Sequence, residues 1–186
     1  MILKKIQENY YKDLRKEYVP NKIDTVFILE SVPSADSYFY NIETSNRTVI
    51  NTFARLLNIE NPKEFTPSYI LDKFVNKNYI ILDALYEPID KLSSKERRQK
   101  IKDNKLEIKK ELTNLVKDKN IKIILVSKYV YEELAGALRE DGWNILNKEK
   151  GGMVPFPGNG WQKKFIRIVL ALLQSGPRVL TGKQGR

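Results

Sequence analysis

The sequence predicts an α/β protein, a three-layer α/β/α sandwich around a mainly parallel, four-stranded central sheet. Three observations predict it. Short runs of β-branched and aromatic residues recur at 26–29, 79–82 and 121–126, each stopped abruptly by a polar or charged residue. Longer stretches between them carry apolar residues at helical spacing. Strands alternating with helices pair in parallel through crossovers, right-handed by the usual chirality, and this gathers the strand-end loops on one edge.

Taken in order, residues 1–16 place Ile2, Leu3, Ile6, Tyr10 and Leu14 on one helical face and Lys4, Lys5, Lys12, Arg15 and Lys16 on the other. Tyr18-Val19-Pro20-Asn21 breaks this helix and leads into the first strand. That strand ends at Glu30, and the loop after it still contains Tyr38, Phe39 and Tyr40. A helix follows over 48–57 with Val49, Ile50, Phe53, Leu56 and Leu57 inward. Asn61-Pro62 and Thr66-Pro67 punctuate the next connection, and Ser68 is placed to cap a helix over 69–75. The second strand stops at Asp83, before a loop around Glu87-Pro88. Residues 95–117 form a strongly charged helical stretch, most of whose charges belong to a solvated face. The third strand ends at Ser127-Lys128, and a helix over 129–138 closes near Gly142. Residues 143–146 supply a short fourth strand, 151–160 is a Gly- and Pro-rich loop, and 161–173 is a final amphipathic helix. The folded domain thus spans 1–174, and 175–186 is a basic tail without periodicity.

Composition narrows the chemistry. The 186 residues, 41% hydrophobic and 30% charged, suit one globular domain rather than a disordered chain. No run is long enough to cross a bilayer and no signal-peptide pattern is visible, so a cytoplasmic protein without a membrane partner is expected. The chain has no cysteine, which removes disulfides, thiolate metal sites and iron–sulfur clusters. It also has no histidine, which removes Ser-His-Asp and Cys-His catalysis and every His-ligated metal. No metal or other cofactor is expected, and acid–base work falls to Asp, Glu, Lys, Tyr or water. A net charge of +10 and a pI near 9.6 point to a polyanion, most simply nucleic acid, and a monomer is expected. A lysine-rich composition produces the same charge without any such partner.

Glu30 stands at the carboxyl end of a buried strand, where open α/β sheets put their ligand chemistry, and an aromatic cluster follows closely. Acid and aromatic platform together read as a site, although a strand-end acid and three core aromatics fit the same residues. Asp83 repeats the design on the second strand. When ionised it only accepts hydrogen bonds, so a base facing it should present an amino group or a ring N–H. A plain ion pair with Lys or Arg is its other reading.

The order of these pieces resembles the uracil-DNA glycosylase superfamily, most closely its short thermophile-type branch, over residues 25–173. Leu29-Glu30-Ser31-Val32-Pro33 is similar to that branch's Gly-Glu-Ala-Pro-Gly strand end, and Tyr38-Phe39-Tyr40-Asn41 to the loop whose phenylalanine stacks on the extruded base. Asp83 occupies the place of the asparagine that reads the base edge, and Ser127-Lys128 the place of a Gly-Arg/Lys pair. Pro155-Phe156-Pro157-Gly158-Asn159-Gly160 stands at the His-Pro-Ser loop. The departures are Leu29 for glycine, Asp83 for asparagine, no histidine before Pro157 and no cluster cysteines.

The resemblance implies hydrolysis of the N-glycosidic bond of a uracil-like, damaged or modified base flipped out of DNA. Glu30 would stabilise the oxocarbenium-like sugar and orient water, and Asn159 would take over the missing histidine's donor role. Backbone groups of Ser31, Val32 and Pro33, with Lys128, would border the leaving base. Phe39, aided by Tyr38 or Tyr40, would stack on it, and Asp83 would read its edge. Pro157, Gly158, Gly160, Trp161, Lys163 and Lys164 would face the DNA. A catalytically inactive nucleic-acid-binding module of the same fold, or a protein acting on free nucleosides or nucleotides, remains open at this point.

Overall fold

The first strand in the chain is the middle strand of the sheet. β1 (Thr25–Leu29) is buried along its whole length, which is why its sequence is apolar without alternation. In this computed structural model, which describes residues 2–33, 37–43, 48–148 and 152–175, β2 (Tyr79–Asp83) and β3 (Lys122–Leu125) flank β1 in the order β2-β1-β3. Both pairings are parallel, and the register sets Leu29 beside Asp83 and Ile28 beside Leu125. The strand order reverses direction between β1 and β3, so the loops that leave these two strands open a crevice at their carboxyl ends.

Helices flank this sheet. α1 (Ile2–Lys16) precedes β1, and α2 (Thr48–Leu56), a 3₁₀ turn (Pro62–Glu64) and α3 (Pro67–Asn76) connect β1 to β2. α4 (Ser94–Asp103) and α5 (Lys105–Leu115) connect β2 to β3, and α6 (Lys128–Glu140) and α7 (Gln162–Gln174) follow. α2 packs against α3 and α7, and α4 packs against α5 and α6. Among the described residues no helix is long and apolar enough to cross a membrane. The expected tail, apart from Ser175, lies outside the described residues, as do 34–36 of the loop after β1.

The expected fourth strand is not formed. Residues 143–146 contribute a single isolated bridge, Ile145 to Ile123, and the sheet has three strands. The outer edge of β3 is satisfied piecemeal. Ile123 donates to Asn144 and accepts from Leu146, at 3.0 and 2.9 Å. The Asn147 side chain then stands in for a strand: its Oδ1 accepts from the Leu125 N–H at 2.7 Å, and its Nδ2 donates to the Leu125 carbonyl at 2.9 Å. The chain turns away there, and a second isolated bridge joins Val126 to Val154. Gly152 permits that turn, since a Cβ built on it would meet the Lys148 carbonyl oxygen at 1.9 Å. At the opposite edge, the Tyr40 hydroxyl accepts from the Ile81 N–H at 2.7 Å and donates to the Ile81 carbonyl at 3.3 Å.

Three further expectations shift. The charged stretch 95–117 is two helices broken at Asn104, whose side-chain amide donates to the Ala84 carbonyl at 2.8 Å. α3 is capped by Thr66 rather than Ser68, because Pro67, lacking an N–H and fixed in φ, suits the first helical position. Arg15 is not on a solvated face: it is buried, donating to the Tyr86 hydroxyl and to Glu111, and so ties α1 to α5.

Candidate functional site

A cleft of about 920 Å³ lies at the carboxyl ends of the strands, where the crevice between the β1 and β3 loops predicts it. Hydrogen bonds fix the strand ends that form its floor. Ala84 donates to the Leu29 carbonyl at 2.8 Å, Val126 to that of Ile28 at 2.8 Å, and Val32 to that of Leu85 at 3.1 Å. Glu30 and Asp83 therefore sit on adjoining strands, and both line the cleft.

The two carboxylates have different surroundings. Glu30 is 8% exposed, and its Oε1 lies 2.7 Å from Nε of Arg97, an ion pair whose angle falls outside hydrogen-bond geometry. Arg97 stands in the first turn of α4, behind a capping box in which Glu96 accepts from the Ser93 N–H at 2.9 Å and Ser93 Oγ accepts from the Glu96 N–H. The Arg97 guanidinium also lies 5.4 Å from the Tyr129 ring centre, so its position is set from two sides. Asp83 has no such cation in contact, and its Oδ2 has no hydrogen-bond partner. Burial pushes its carboxyl up to about 7; Arg15 pulls the other way, and Glu111 adds to the rise. The Tyr38 hydroxyl is close enough to lower that value slightly, but the pair does not have the geometry of a formed hydrogen bond. Tyr38 is itself raised, by burial first and then by Asp83.

The aromatic loop divides. Phe39 lines the cleft with the 7% of its surface left exposed, and otherwise packs edge-on against Phe74 at 5.1 Å and Phe53 at 5.3 Å. Tyr40 is a correction to the expectation that it meets substrate. Its ring is buried and stacked on Tyr18, its hydroxyl is taken up by Ile81, and it does not line the cleft. Ser31, Val32 and Pro33 do line it. Of their backbone groups, Pro33 has no N–H and that of Val32 is bonded to Leu85, which leaves Ser31 as the donor among the three.

The far wall comes from the loop before α7. Gly158, Asn159, Gly160 and Trp161 all line the cleft, with Asn159 at φ +50° and Trp161 49% exposed. Pro157 is buried behind them, its carbonyl accepting from the Thr52 hydroxyl at 3.5 Å, and Lys163 and Lys164 lie outside the cleft. The Lys164 ammonium rests 4.7 Å from the Trp161 ring centre. Lys128 is exposed at the cleft mouth, 3.8 Å from Glu132. Among the described residues no cluster of three His, Cys, Asp or Glu side chains could hold a metal ion.

Arg97 and Ser127 are two of several cleft residues to which the sequence alone assigns no role, Asp90 and Met153 being others. Arg97 is one cation among many in a charged stretch, and the Ser93-x-x-Glu96 cap is the signal that would have put it in a first helical turn. Ser127 caps α6 at φ +90°, ψ 154°, a region that costs a non-glycine residue roughly 1–3 kcal/mol and gathers at functional sites. Its signal is a serine between a strand and a helix. In comparisons with known proteins, no family model, no curated protein and no solved structure matches this chain.

Proposed function

We propose that the protein is an N-glycosidic hydrolase without a metal. Its particular activity on this reading is excision of a uracil-like, damaged or modified base from DNA. The observation that carries the reading is the pair of carboxyl groups, one ion-paired and one with its proton affinity raised, on adjoining strand ends in one cleft. Two acidic groups whose surroundings set them apart are what glycosidic cleavage uses.

As the bond between sugar and base breaks, positive charge develops on the sugar and negative charge on the leaving base. Glu30, ion-paired with Arg97, stabilises the oxocarbenium-like sugar and orients the attacking water. Asp83, whose carboxyl burial pushes up to about 7 and which accepts hydrogen bonds once ionised above that, meets the base edge, and the Ser31 N–H and the Asn159 amide supply donors to the leaving base. Phe39 packs on the base plane. The amino-terminal ends of α2, α6 and α7 border the cleft at Thr48, Ser127 and Gln162, and with Lys128 they favour a phosphate backbone at its mouth. Trp161 and the Lys163–Lys164 pair extend that surface outward.

The test is a base-excision assay on labelled single- and double-stranded oligonucleotides carrying uracil, hypoxanthine, hydroxymethylcytosine or its sugar-modified forms. Alkali-revealed breakage that disappears with Glu30→Gln is the expected result. No breakage on any substrate, with salt-sensitive DNA binding intact, would leave a binding module instead.

A further inference from the structure

Four buried polar atoms of cleft-lining residues have no hydrogen-bond partner; Oε1 of Glu30 and Nε of Arg97 face each other as an ion pair, which leaves Oδ2 of Asp83 and the hydroxyl of Tyr38. Asp83 is 5% exposed and Tyr38 3%. Buried polar groups are nearly always satisfied, and each bond left unmade costs free energy, so two such groups at an open cleft, close enough for Tyr38 to favour the ionised carboxyl yet without hydrogen-bond geometry at either atom, point to a ligand. Both are held in place. Asp83 ends β2 in register with Leu29, and the Tyr38 ring is packed edge-on against Tyr11 at 4.8 Å and Tyr40 at 5.6 Å. Arg15, the cation that attracts Asp83, is already bonded to Tyr86 and Glu111.

We propose that Asp83 and Tyr38 together read the edge of an amino-substituted heterocycle, the amine donating to Asp83 and the adjacent ring acceptor taking the Tyr38 hydroxyl proton. A base of the cytosine type presents that order, an exocyclic amine beside an unprotonated ring nitrogen. Uracil in the same pose brings a carbonyl oxygen against the carboxylate, acceptor against acceptor. The inference rests on the cleft being a base pocket, and it names the class of base. A ligand amine also restores to Asp83 the hydrogen bonding that burial removes.

The test is a titration of the 186-residue protein at pH 8, by calorimetry or NMR, with 2′-deoxycytidine, 2′-deoxyuridine and the deoxyriboside of pyrimidin-2-one, which lacks the amine. Deoxycytidine is expected to bind at least about tenfold more tightly than the other two. Tyr38→Phe is expected to weaken deoxycytidine about tenfold while leaving the far-UV circular dichroism unchanged. Asp83→Asn, whose amide can donate, is expected to turn the preference toward deoxyuridine. Equal binding of all three nucleosides, binding of none, or an Asp83→Asn protein that still prefers deoxycytidine overturns the proposal. The titration needs no bond cleavage. An amino preference combined with no base released from any oligonucleotide would therefore sink the glycosylase reading and leave this one standing.

Discussion

Glu30 and Asp83 end neighbouring strands, face one cleft and are almost equally buried, yet the fold treats them oppositely. Glu30 receives a guanidinium from a helix that begins with a capping box. Asp83 receives a tyrosine ring, a distant arginine and no formed hydrogen bond at Oδ2. The difference teaches that position at a strand end does not define a carboxylate's role. What packs across from it does, and that partner comes from a remote part of the chain.

The largest effect is expected at Glu30. Glu30→Gln keeps the shape and removes the charge, and excision is expected to fall roughly 10²–10⁴-fold while DNA affinity stays within about threefold. Single-turnover kinetics and a binding titration on the same oligonucleotide measure the two effects.

Asp83→Asn is next. The folded carboxyl titrates near 7 against an ordinary 3.8, so the native state holds a proton between those values while the unfolded chain releases it. The contribution of Asp83 to native stability is therefore greatest below about pH 4, falls as pH rises, and is lost above about 7. The asparagine variant should be more stable than the parent at pH 8, by roughly 2–4 kcal/mol, and should show a flatter profile from pH 4 to 7. Urea denaturation across that range reads both.

Arg97→Ala leaves Glu30 buried without its cation. Because Arg97 is partly exposed, the expected loss is about 1–3 kcal/mol rather than the larger figure for a fully buried pair. Excision should fall with it, and Arg97→Lys, which keeps the charge without the planar fork, should recover only part. The smallest effect is expected from Ser93→Ala, which removes the cap that starts the helix carrying Arg97. It should lower stability by about 1 kcal/mol and raise amide exchange in the first turn of α4.

The parallel strands and the helical stripes are legible in the sequence because burial on both faces demands continuous apolar runs, and one-sided burial demands period-3.6 stripes. Glu30 and Asp83 are legible for the same reason, as charges that interrupt such runs. What escapes is pairing at a distance. Nothing local marks Arg97 as the partner of a residue sixty-seven positions earlier, nor Tyr40 as a partner for the Ile81 backbone rather than a base platform. Residues 143–146 have the composition of a strand, but Asn147 and the Gly152 turn end their pairing after one bridge, and side-chain substitution for backbone leaves no periodic trace.

That substitution also bears on how the protein behaves in a crowded solution. A three-stranded sheet exposes two outer strands, and an unpaired strand border is a template on which other chains can extend the sheet. Here neither border relies on charge or proline. A phenol fills the middle of one and a carboxamide fills the other, each engaging both the donor and the acceptor of a single residue. Loss of either side chain would first appear as self-association on partial unfolding, well before the cleft changed shape.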